Sequence, residues 1–351
     1  MKNVFLKEVM TNTFPTQSYL SDHEINLVTF KSSIKKNYQY SARFYSLEIR
    51  GPGYFTLYPY RVTTVGDVYH VDYLYDLDQI KSKVAELHAM GVKIILYKPF
   101  SSLSERKDFI DYWNLSKEDI APMDLNGTYY VDLPYSLGYE GRDAWRNFFI
   151  SFMKFLFVEV GIDGVEFDGG DGYKDIGSFD PETMQKFNQY LASKYTSQEL
   201  REKFNITNVN SFNFRQYLRD LGYNHCSYVV DEDVIIAHPG PDGPKDNEYA
   251  MALWEEFKSF NLKTLIEFYK FIMDNVRQWE KETGREFYIS TRASTYPLDL
   301  PVLQYVDGVN WEYCWVGYPN RTAGKDFRVV QSLGKTFNPW ITPWDIHEDV
   351  N

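Results

Sequence analysis

Apolar positions along this 351-residue chain recur in a fixed succession: a stretch with helical spacing, a glycine, then a short apolar run. Leu77, Ile80, Val84, Leu87 and Met90 fall on one helical face, with Asp76 placed to cap the first turn. Gly91 ends that helix, and residues 92–97 form an apolar run of strand length. The succession repeats at 145–160, Gly161 and 162–168, again at about 249–283, Gly284 and 287–292, and again at 327–333, Gly334 and 337–341. Further strands are predicted at 44–50, 127–133 and 306–312, and an eighth is expected either at 26–30 or beyond Asn351 in a longer chain. Helices alternating with apolar strands predict a parallel sheet joined by right-handed crossovers.

The fold class expected from this pattern is α/β, a (β/α)8 TIM barrel, irregular or incompletely closed. Residues 1–40 would be an N-terminal extension packed on a barrel spanning 41–351. A helical insertion is expected at about 180–246, after the fourth strand. Asp180-Pro181-Glu182 is a strong helix start, and Met184, Phe187, Tyr190 and Leu191 give that helix an apolar face. The proline- and glycine-rich run 238–244 is loop. A doubly wound open sheet is the rival architecture, but its glycine-rich phosphate turn is missing.

Composition narrows the chemistry. A formal net charge of −12 and a pI near 5.1 repel a phosphate backbone, so nucleic acid is not an expected partner. No apolar run is long enough to span a membrane, and residues 1–17 lack the apolar centre of a signal peptide, which leaves cytoplasmic and secreted locations both open. Cys226 and Cys314 make no disulfide framework, and the six histidines have no metal-ligand spacing, so neither a metal nor a cofactor is expected. Nothing bars an oligomer. The aromatic share of 18% fits either an aromatic-rich core or a cleft that stacks sugar rings on aromatic faces.

The richest segment runs from Gly161 to Asp171. Period-two alternation puts Gly164, Glu166 and Asp168 on one face of a strand and Val165 and Phe167 on the other. Acids at the C-terminal end of a barrel strand are costly unless paired or used, and Gly169 and Gly170 leave room for a ligand. A purely structural ion pair with Arg292 or Lys98 is the alternative. A second acid, Glu312, ends the strand after Asn310 and Trp311, in a text, Asp307-Gly308-Val309, that echoes Asp163-Gly164-Val165. Two carboxylates facing across a barrel mouth are what glycosidic cleavage needs. Asp168 would be nucleophile or base and Glu312 the general acid, with Glu166 as a further catalytic acid and Asp171 the competing one. Arg292, Tyr97, Lys98, Asn310, Trp311, Trp315, Trp340 and Trp344 are the candidate substrate contacts near strand ends.

Residues 161–170 resemble the fourth-strand signature of TIM-barrel glycoside hydrolases, including the α-amylases and α-L-fucosidases. The resemblance implies a nucleophile at Asp168. Residues 53–59 through 91–97 are similar to the early barrel of fucosidases and other glycosyl hydrolases, and 187–195 to barrels related to thermophile-type β-galactosidases. The chain departs from these patterns in three ways. The arginine that α-amylases carry two residues before the nucleophile is Glu166, their late Asn-His-Asp triplet is absent, and so is the Asn-Glu pair of the β-galactosidase clan. The expected function is therefore a glycoside hydrolase acting on an oligo- or polysaccharide. A non-catalytic carbohydrate-binding barrel and a sugar-acid isomerase or lyase are the rivals.

Overall fold

The computed structural model describes residues 41–44, 60–65, 68–73, 81–82, 84–85, 88–89, 93–99, 116–129, 141–168, 178–223, 228–230, 233–235, 243–292, 300–312, 328–330 and 332–340. The chain divides into two compact units.

The first unit draws on residues 1–100, 151–171 and 273–351. Its centre is a six-stranded sheet of β1 (Ser41–Phe44), β4 (Lys93–Pro99), β5 (Gly164–Asp168), β8 (Tyr288–Arg292), β9 (Gly308–Glu312) and β10 (Thr336–Trp340). Every neighbouring pair is parallel, and the strands lie side by side in chain order. A doubly wound sheet reverses its order at a switch point, and these strands run on without reversal. The class is α/β, with the singly wound progression that a (β/α) barrel requires. Val165, Phe167, Ile289 and Val309 are buried, and so are Tyr288 and Ser290 in the alternate phase, so β8 is covered on both faces.

Two elements differ from expectation. β4 and β5 pair directly; of the strand predicted at 127–133 only 127–129 are described, and 130–133 lie outside the described residues. Residues 124–128 instead form a tight turn in the second unit: Thr128 N–H donates to Asp124 Oδ1 at 2.8 Å, and Gly127 takes φ 94°. Strand β5 is thus third among the described strands of the sheet. The antiparallel pair β2 (Tyr60–Val65) and β3 (Val68–Tyr73) was also not expected, although two residues, Gly66-Asp67, join two β-rich runs there. The candidate strand at 26–30 lies outside the described residues, as does most of 44–50.

The helix–glycine–strand reading holds at β5 in detail. The preceding helix relaxes into a π turn over Phe155–Val160, and Gly161, at φ 92°, closes it by donating its N–H to Leu156 O at 3.0 Å. Gly164 is required for a different reason. A Cβ there would lie 2.6 Å from Tyr288 O, so β5 and β8 approach closely only because this residue has no side chain.

The echo between the two Asp-Gly-Val texts is structural. Asp163, 1% exposed in its side chain, accepts a 2.7 Å hydrogen bond from His88 Nε2 and lies 3.4 Å from Arg285. Arg285 also donates to the carbonyls of Phe157, Gly161 and Ile162. Asp307 pairs with Arg277 and accepts from Ile289 N–H at 3.1 Å, while its own N–H donates to Ile289 O. Each aspartate therefore ties the amino end of one strand to the chain beside it, at the end of the sheet opposite the candidate acids.

The second unit comprises residues 101–150 and 172–272 and is mainly helical. It contains α1 (Asp143–Lys154, to residue 150), α2 (Pro181–Lys194), α3 (Ser197–Phe204), α4 (Phe214–Asp220) and α5 (Glu248–Thr283, to residue 272), with a short hairpin of β6 (Tyr228–Val230) and β7 (Asp233–Ile235). Asp180 caps α2 through Thr183 N–H, with Pro181 following, as the sequence predicts. Thr196 and Glu199 form a reciprocal capping box on α3. The core is aromatic: Phe257 lies 5.2 Å from Phe179, 5.1 Å from Phe187 and 5.5 Å from Phe214, ring to ring, all four being buried.

Candidate functional site

Parallel register orders the candidate residues into rows at the carboxyl end of the sheet. Tyr97 on β4 pairs with Glu166 on β5, which pairs with Ser290 on β8, which pairs with Gly308 on β9 and through it with Thr336 on β10. One pleat further on, Asp168 is level with Pro99, and Arg292 with Asn310 and Asn338. Since Phe167 pairs with Thr291, Asp168 and Arg292 are neighbours in this second row. A third step brings Glu312 level with Trp340. Positions two apart on a strand share a face, so Tyr97, Glu166, Asp168, Arg292, Asn310, Glu312 and Trp340 all occupy one phase of the sheet.

Lys98 and Trp311 fall in the alternate phase. Lys98 is level with Phe167, which is fully buried, and Trp311 with Pro339. Asp171, Trp315 and Trp344 lie outside the described residues. Asn338 is a member of the second row that the sequence reading passed over. Its signal was present: an amide between Phe337 and Pro339, in a run otherwise typical of a buried strand.

The first row has measurable surroundings at Ser290, which is 0% exposed. Ser290 is the residue level with Glu166 on β8. Tyr288, one pleat earlier in the same phase, is also buried. Among the described residues, no group of three or more histidine, cysteine, aspartate and glutamate side chains is placed to hold a metal ion. No helix among them is long and apolar enough to cross a membrane.

In the helical unit the ionisable groups form closed networks. Arg142, nearly buried, pairs with Glu182 at 3.1 Å and with Asp180 at 3.4 Å, and donates to the carbonyls of Ala121 and Glu118. Burial pushes Glu182 up, but the Lys186 ammonium, the Asp143 N–H and the Arg142 charge together hold it below the usual carboxylate range. Glu256 accepts from Lys194 at 2.6 Å, Tyr195 at 2.6 Å and Tyr190 at 3.0 Å. Burial raises its pKa, and these three donors more than reverse that.

No family model matches the chain, and no curated protein matches it. Among solved structures, it is similar to the catalytic domain of a β-amylase from Paenibacillus polymyxa, at 12% identity and a TM-score of 0.46 over 76% of this chain and 73% of that one. An exo-β-agarase is 12% identical over 72% of this chain, at a TM-score of 0.39. A second agarase is 10% identical over 80% of this chain, at a TM-score of 0.40. This chain covers 31% and 41% of the two agarases. With TM-scores below 0.5, none of these likenesses carries an activity over to this chain.

Proposed function

We propose that this chain is a glycoside hydrolase, built on a (β/α) barrel and cleaving O-glycosidic bonds with two carboxylates at the carboxyl end of its sheet. Asp168 is the nucleophile or the base that activates water, and Glu312 is the general acid. Glu166, Arg292, Tyr97 and Asn310 orient the sugar. The observation that carries this reading is the register: Asp168 ends β5 in the row of Arg292 and Asn310, and Glu312 lies one pleat beyond Asn310 in the same phase.

The chemistry follows from that arrangement. Asp168 and Glu312 stand two strands apart and one pleat offset, which is roughly 12 Å between backbones in a flat sheet and less in a curved one. Side chains pointing into the same space close such a gap to about 5–5.5 Å or 6.5–9.5 Å, the separations of retaining and inverting cleavage. Glu312 would give its proton to the leaving oxygen as the glycosidic bond breaks. Asp168 would attack the anomeric carbon, or take a proton from the attacking water. Arg292, its neighbour in the row, would favour the ionised form of Asp168.

Hydrolysis of a panel of 4-nitrophenyl α- and β-glycosides, with proton NMR of the first-formed anomer, tests the assignment. Asp168→Asn is expected to lower turnover to below about one thousandth, with the melting temperature nearly unchanged. Glu312→Gln is expected to slow sugar-leaving substrates more than 4-nitrophenyl ones, because nitrophenolate departs without a proton. A variant Asp168→Asn that unfolds, or one that keeps its activity, overturns the assignment. The first outcome would make Asp168 half of a structural ion pair, and the second would move the nucleophile or base to another acid; a wild type that binds but cleaves no glycoside would make the barrel a binding module.

A further inference from the structure

We infer that Asn338 binds a hydroxyl of the leaving sugar, so that β10 forms the leaving-group side of the cleft. The inference rests on the hydrolase reading above and on the order of strands within the second row. Asp168, Arg292, Asn310 and Asn338 stand on β5, β8, β9 and β10 in that order, all level with one another. Successive strands lie about 4.8 Å apart, so Asn338 is separated from Asp168 by three such steps, more than one sugar ring occupies. Glu312 is on β9, between them, and is the group that protonates the departing oxygen. Asn338 is therefore on the far side of the cleaved bond from the nucleophile.

Two features of the strand suit the role. Asparagine is depleted in strands, so an amide in β10 between Phe337 and Pro339 departs from the composition expected of a strand. Pro339 restricts the backbone of the residue before it to the extended conformation, in keeping with the place of Asn338 in β10. A primary amide offers both a donor and an acceptor, as a sugar hydroxyl does, and carries no charge. The ligand it fits is a neutral, hydroxyl-bearing leaving sugar rather than a uronic acid or a phosphorylated one. Trp340, one pleat further on the same strand and level with Glu312, supplies an aromatic residue beside it.

The test compares leaving groups. The wild type is screened on 4-nitrophenyl glycosides of glucose, galactose, fucose and N-acetylglucosamine, and on the homodisaccharide of each. For the sugar cleaved best, Asn338→Ala is expected to lower kcat/KM at least tenfold more for the disaccharide than for the nitrophenyl glycoside, which has no hydroxyl on its leaving ring. The loss should fall mainly in KM. A smaller difference overturns the inference while leaving the hydrolase reading in place. Failure of the wild type to cleave any member of either set overturns both. Should Asn338→Ala melt well below the wild type, Asn338→Ser, which keeps a small polar group, is put through the same comparison and judged by the same ratio.

Discussion

At the scale of single residues, the described acids divide by what surrounds them. Asp163 and Asp307 hold histidine, arginine and backbone N–H partners at the amino ends of their strands, and are consumed by structure. Glu256 is likewise consumed, by Lys194, Tyr190 and Tyr195. Its depressed pKa has a consequence for stability. A carboxyl held below its ordinary value of 4.5 in the folded chain contributes stability that is complete above that value and is lost as pH falls through the folded pKa. Lys194, whose pKa Glu256 and Tyr190 raise against the effect of burial, keeps its charge throughout that range. Urea unfolding of Glu256→Gln is therefore expected to show lower stability than the wild type at neutral pH, with the gap closing below pH 4.5. A gap that persists unchanged in acid would refute the linkage.

At the scale of elements, glycine positions reveal which parts of the sequence pattern were structural signals. Gly161 ends a helix in the left-handed region, as its place in the repeated pattern predicts. Gly164 looks identical in the sequence but does something that periodicity cannot express, because the atom it makes room for belongs to Tyr288, more than a hundred residues away. Gly164→Ala should force β5 and β8 apart and cost about 1–3 kcal/mol in urea unfolding. Activity should fall with it, since β5 carries both Glu166 and Asp168. Gly222→Ala, also at a left-handed position but with open space around it, separates the two effects: it should cost only the backbone strain and leave activity alone.

At the scale of the whole molecule, the aromatic content finds its main described use in packing. The sequence offered two readings of that excess, a core and a sugar-stacking cleft. Phe179, Phe187, Phe214, Trp254 and Phe257 are all buried in the helical unit. Phe257 sits at the centre of that cluster, so Phe257→Ala should cost about 3–5 kcal/mol, read as a drop in the urea midpoint. A loss under about 1 kcal/mol would mean that the cluster can collapse into the space left behind. The expected insertion at about 180–246 falls within the second unit, which also takes in residues 101–150, 172–179 and 247–272.

Local chemistry determined what the sequence could specify unaided. Asp180-Pro181 starts α2, Gly284 and Gly334 follow helices at positive φ, and the alternation of β5 buries Val165 and Phe167. Each of these depends on neighbours within a turn or two of chain. The tertiary structure alone decided which strands are adjacent and at what height they meet. That information placed Asn338 level with Arg292 and Asn310, put Lys98 in the alternate phase from Glu166, and paired β4 directly with β5. Register is a relation between distant segments, fixed by close approaches such as that of Gly164 to Tyr288 and by ties such as those of Asp163 and Asp307, and no window along a single segment contains it.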